Sequence, residues 1–126
     1  MKSWIPLILA FVSLLKVAPP SAWGRDPAEV QIPEASERDL KLGKKFYEKY
    51  CVACHAPDNI MVPSPKFGDL KEWSLRLKAA GSLELLARSA MNGKSAMPKK
   101  GNCEECQLRD LRATIQFMIK GEKLEK

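Results

Sequence analysis

The chain is expected to be all-α, with four or five short helices packed into one small domain over residues 36–120. Three observations lead there. Apolar residues recur at three- and four-residue steps in several segments. No run alternates with the period of two that a half-buried strand requires. Proline and glycine cluster between the periodic segments.

Residues 1–22 read as a cleaved export signal. Lys2 gives a short basic start, Ile5 to Leu15 is mostly apolar, and Pro19-Pro20-Ser21-Ala22 precedes a cut after Ala22 or Gly24. The apolar run falls well short of the ~20 residues of a bilayer span, so no stable membrane insertion is expected. Residues 23–35, with Pro27 and Pro33, form an extended lead-in. Ser36 is an N-cap candidate, with Asp39 three positions on. Behind it Leu40, Gly43, Tyr47 and Tyr50 share one helical face from Glu37 to Tyr50, and Lys41, Lys44, Lys45 and Lys49 take the other. Pro57 to Asp69 is loop. A helix from Leu70 to Ala79 carries Trp73 and Leu77 and stops at Gly81. Ser82 caps the next, with Leu83, Leu86, Ala87 and Ala90, which ends near Asn92-Gly93. After a loop from Lys94 to Cys106, Leu108, Leu111, Ile115 and Met118 stripe a last helix from Gln107 to Lys120. Gly121 stops it, and residues 121–126 are a tail.

Cys51-Val52-Ala53-Cys54-His55 carries the chemistry. Two cysteines three apart, with histidine directly after the second, are the attachment pattern for c-type haem. On a helical turn, positions i and i+3 share a face, so both sulfurs can reach one porphyrin while His55 meets its iron. The domain is therefore expected to pack around one covalent haem c. Two other readings compete. Four cysteines could hold a structural zinc, but the pairs Cys51/Cys54 and Cys103/Cys106 lie much farther apart than the ~15–20 residues of compact zinc modules. A redox dithiol would need a βαβ setting, and neither alternative explains His55.

His55 is the only histidine, so its place on iron leaves no Ser–His or Cys–His pair for catalysis. The sixth ligand is a methionine, a lysine or nothing. Met97 is the foremost candidate: it sits in a loop between Gly93 and Gly101, and Pro98 restricts its backbone. Met118 is spaced as helix core, Met91 falls in line with Ala87 near a helix end, and Met61 follows His55 too soon. Histidine with methionine is the pairing that raises haem potential in electron carriers.

Removing Lys2 and Lys16 with the signal lowers the formal net charge from +6 to about +4. No basic tract interleaved with aromatics appears, so no nucleic-acid partner is expected. A basic balance favours acidic protein surfaces.

Several features together resemble the class I c-type cytochromes, and within them the bacterial cytochrome c-five group. Gly43 and Tyr47 stand eight and four positions before Cys51. Trp73, the Asn92-Gly93 turn, Ser95-Ala96-Met97-Pro98-Lys99-Lys100-Gly101 and a closing helix with Phe117-Met118 also match. Cys103-Glu104-Glu105-Cys106 occupies the place of that group's second cysteine pair. One departure is Lys99, where relatives more often have a second proline.

The resemblance implies a small class I cytochrome c fold and a monomeric, periplasmic, one-electron carrier rather than an enzyme. Its alternative is a haem ligand sensor or enzyme subunit with a labile or absent methionine. It further implies that the Pro65 carbonyl accepts from His55 Nδ1–H, with Pro63 as runner-up. Gly43 should let the first and last helices approach near Leu111 and Ile115. Trp73 packs near the propionates or simply in the core. In an exported chain whose other thiols are consumed, Cys103 and Cys106 are expected as a disulfide. Lys66, Lys94, Lys99 and Lys100 are expected to rim the haem edge and steer redox partners.

Overall fold

Ser36 opens the first helix as its side chain suggests: its Oγ accepts from the Asp39 N–H at 3.1 Å and donates to Asp39 Oδ2 at 2.6 Å. The computed structural model describes residues 32–121. The expected signal over 1–22, most of the lead-in, and the tail past Gly121 lie outside them. In chain order come α1 Glu37–Phe46, a π-helical turn Tyr47–Cys51, α2 Val52–His55, α3 Leu70–Ala80, α4 Leu83–Asn92, a 3-10 turn Lys99–Asn102, and α5 Leu108–Lys120. The described residues hold no strand, only an isolated bridge between Lys94 and Met97. The fold is all-α.

The sequence suggests one uninterrupted helix from Glu37 to Tyr50. Instead the ladder widens to π geometry at Tyr47, which changes the angular step into the cysteine–histidine segment. Capping fixes the other helices. Asp69 accepts from the Glu72 N–H at 3.1 Å and Ser82 from the Leu85 N–H at 3.1 Å. Gln107 and Asp110 form a reciprocal capping box at the start of α5, with Gln107 N–H donating to Asp110 Oδ2 at 2.9 Å.

α5 is more than the amphipathic helix its stripe predicts. Every residue from Ala113 to Ile119 is buried, because neighbours cover it on several sides. α1 crosses it at Gly43, α4 packs along it, and Gln116 Nε2 donates to the carbonyls of Pro33 and Glu34 in the lead-in, both at 3.3 Å. A Cβ on Gly43 would stand 2.7 Å from the Ala113 carbonyl carbon and 2.8 Å from Phe117 Cβ. The close approach is therefore at Ala113 and Phe117, two residues along α5 from the expected Leu111 and Ile115. Tyr47, Phe67 and Phe117 pack as a triangle, with ring centroids 5.0, 5.6 and 5.1 Å apart, tying the π turn to α5 and to the loop before α3.

Candidate haem site

Residues Ser64 to Phe67 strap the motif turn in place. His55 is 8% exposed, and its Nδ1–H donates to the Pro65 carbonyl at 2.7 Å. The Phe67 N–H donates to the His55 carbonyl at 2.9 Å. Trp73 stacks beside the imidazole at 6.0 Å, and its indole N–H donates to the Lys66 carbonyl at 2.8 Å. With Nδ1 engaged, Nε2 is the ring nitrogen left for a metal. Burial pushes the imidazole pKa down, the Pro65 hydrogen bond opposes that, and the charges of Lys66 and Arg76 lower it further. The net effect favours neutral imidazole, the form that ligates iron. Trp73 thus supports the histidine directly, a role its sequence position left undecided.

His55 faces a cavity of about 510 Å³, within the usual ligand-pocket range of roughly 300–1,000 Å³. Cys51, Cys54, Met97 and Pro65 also line it, among apolar side chains such as Val62, Leu86, Leu111 and Ile115. One imidazole nitrogen, one thioether and two thiols around an apolar volume suit a haem held through two sulfurs. Met118 lines the cavity too, from within α5. Met61 does not: it is 86% exposed, on a turn where Asn59 Oδ1 accepts from the Met61 and Val62 N–H groups. Met91 packs against the core at the end of α4.

Backbone pairing fixes the Met97 loop. Lys94 N–H donates to the Met97 carbonyl at 3.0 Å, and Met97 N–H returns a bond to Lys94 at 2.9 Å. Gly93 permits this closure, since a Cβ there would lie 2.9 Å from the Met97 carbonyl oxygen and from the Lys99 nitrogen. The sequence marks Gly93 only as a helix end.

The sulfurs of Cys103 and Cys106 are bonded to each other in the core, both residues 1% exposed. Gln107 follows where a haem motif would need histidine. The loop between them is clamped to the π turn: Glu105 Oε1 accepts from the Tyr50 hydroxyl and from Lys49 Nζ at 3.2 Å. The Tyr50 bond, Glu105's own N–H and Lys49 hold this exposed carboxyl down at about 2. No spacing rule announces this clamp.

The competing thiol readings lose ground. No group of three or more potential metal-ligating side chains exists among the described residues. Burial, with Cys54 adding, pushes an unmodified Cys51 thiol up to about 11, which disfavours the free thiolate that disulfide exchange needs.

Of the four expected docking lysines, Lys94 and Lys99 are exposed. Lys100 Nζ donates to the Glu104 carbonyl at 3.0 Å, and Lys66 is half-buried, with its Nζ bonded to the Cys54 and Val62 carbonyls. No helix of the described residues is long and apolar enough to cross a membrane.

The family described as cytochrome C oxidase, cbb3-type, subunit III matches residues 38–118. The chain is 38% identical over 78 residues to cytochrome c5 of Azotobacter vinelandii, covering 62% of this chain and 92% of that protein. It is 39% identical over 70 residues to cytochrome c5 of Ectopseudomonas mendocina, covering 56% and 78% respectively. With cytochrome c6 of Tetradesmus obliquus it shares 30% identity over 89 residues, 68% of this chain and 97% of the relative.

Proposed function

The chain belongs to the class I c-type cytochromes, close to cytochrome c5, and on that premise we propose how this monohaem electron carrier holds its cofactor. Cys51 and Cys54 would hold haem c covalently, and His55 and Met97 would ligate its iron. One observation carries this reading: all four side chains line the same apolar cavity. When bound there, haem supplies a one-electron ferrous–ferric couple.

The protein's own groups do the rest. Pro65 selects the His55 tautomer and orients the ring. The bonded pair Lys94–Met97 limits how far the thioether can swing away. The cavity wall is mostly apolar, and with His55 and Met97 both on the iron no place on the metal would be left for a substrate. That favours electron transfer over oxygen chemistry.

Residues 1–22 are read as an export signal for the periplasm, where a Cys103–Cys106 disulfide persists. The functional unit is then the monomeric domain over 36–120. Exposed Lys94 and Lys99 beside the ligand loop suit brief docking to acidic faces of redox proteins.

Met97→Leu tests the ligand assignment. The wild type is expected to show the long-wavelength ferric band of methionine–iron ligation and to resist carbon monoxide when ferrous. The variant should lose the band, bind carbon monoxide, and fall in midpoint potential. Absence of the band in the wild type, with rapid carbon monoxide binding, would instead favour a ligand sensor or enzyme subunit.

A further inference from the structure

Lys66 is half-buried, and its ammonium is more fully bonded than that of an ordinary surface lysine. Its Nζ donates to the Val62 carbonyl at 2.7 Å, the Cys54 carbonyl at 3.0 Å and Ser64 Oγ at 3.0 Å. All three ammonium donors are thereby used. Ser64 Oγ donates to the same Cys54 carbonyl at 2.5 Å. Cys54 belongs to the last turn of α2, where carbonyls lack helical partners and a cation is favoured. Lys66 does not line the cavity, whereas its neighbours Ser64 and Pro65 do. Its backbone is equally committed, since its carbonyl receives the Trp73 indole N–H.

We propose that Lys66 is a positioning residue for electron transfer, whose ammonium locks the Cys51–His55 turn and places a fixed positive charge behind the histidine that raises the midpoint potential. This rests on the haem site proposed above. Oxidation adds one positive charge to the site, so a nearby cation held in place by three hydrogen bonds favours the reduced state. Coulomb interactions near a protein surface are strong at contact and remain appreciable at several ångströms. A lysine free in solvent would be screened and would act on encounter rate instead. The three bonds to Lys66 separate these two cases.

The test uses haem-loaded protein with Lys66→Met, Lys66→Gln and Lys66→Arg, read by spectroelectrochemical titration and denaturant unfolding. In the Met and Gln variants the ferrous-to-ferric ratio at fixed ambient potential should fall by about threefold to tenfold, tenfold being about 59 mV for one electron. Lys66→Arg keeps the charge and should restore most of the shift, even where its bulkier fork lowers stability. The proposal is overturned if folded, haem-loaded Gln and Met variants keep the wild-type potential. It is also overturned if the Arg variant falls as far as Met, which assigns the effect to geometry alone. A third contrary result is an unchanged potential with a weaker salt dependence of oxidation by hexacyanoferrate, which would make Lys66 a docking lysine. Wild-type protein lacking haem would sink the site itself, a separate and recognisable failure.

Discussion

Replacing Gly43 by alanine is expected to destabilise the folded protein by about 3 kcal/mol, the upper end of the usual cost of overpacking. The added methyl group has nowhere to go. It would sit 2.7 Å from the Ala113 carbonyl carbon and 2.8 Å from Phe117 Cβ. Those atoms belong to backbone and Cβ positions, which cannot rotate aside as a side-chain end can. Either α1 lifts from α5 or the carbonyl tilts, and both loosen the aromatic triangle of Tyr47, Phe67 and Phe117. Chemical denaturation checks this through the midpoint at unchanged slope. A loss below about 1 kcal/mol would mean that the helices separate easily and the contact is not a constraint.

His55→Ala should have the larger functional effect. Loss of an outer hydrogen-bond partner alone typically costs roughly 10–100-fold in metal affinity, so removal of the ligand should cost at least as much. No second histidine exists to replace it. Exported variant protein is expected to carry little haem and to lack a low-spin spectrum, measured by absorption of the purified material. A normal low-spin spectrum in the variant would place the iron elsewhere.

Much of this was readable before any coordinates. The cysteine–histidine spacing announces the haem because chemistry imposes it locally. The N-caps at Ser36 and Ser82 and the stops at Gly81 and Gly121 are likewise local signals, and the helices begin and end near them. The carbonyl that meets His55 Nδ1 belongs to Pro65 rather than Pro63.

What escaped the sequence depends on distant partners. The π turn at Tyr47 leaves no mark in a 3.6-residue pattern. α5 reads as a stripe because periodicity cannot count how many neighbours will cover a helix. Gly43 reads as a close-approach position, but its partner lies at Ala113 because interhelical register follows from packing. From sequence Lys66 reads as a docking lysine at the haem edge, and only folding brings the Cys54, Val62 and Ser64 oxygens around it. The Glu105 clamp on Tyr50 likewise joins residues far apart in sequence.

Intact mass with a pyridine haemochrome spectrum, on protein exported from a host that attaches haem, tests the central claim most directly. The predicted result is one porphyrin per chain, retained through denaturation and extraction, with the spectrum of a haem bonded at both vinyl positions. A mass equal to the processed polypeptide, without Soret absorption, would contradict it.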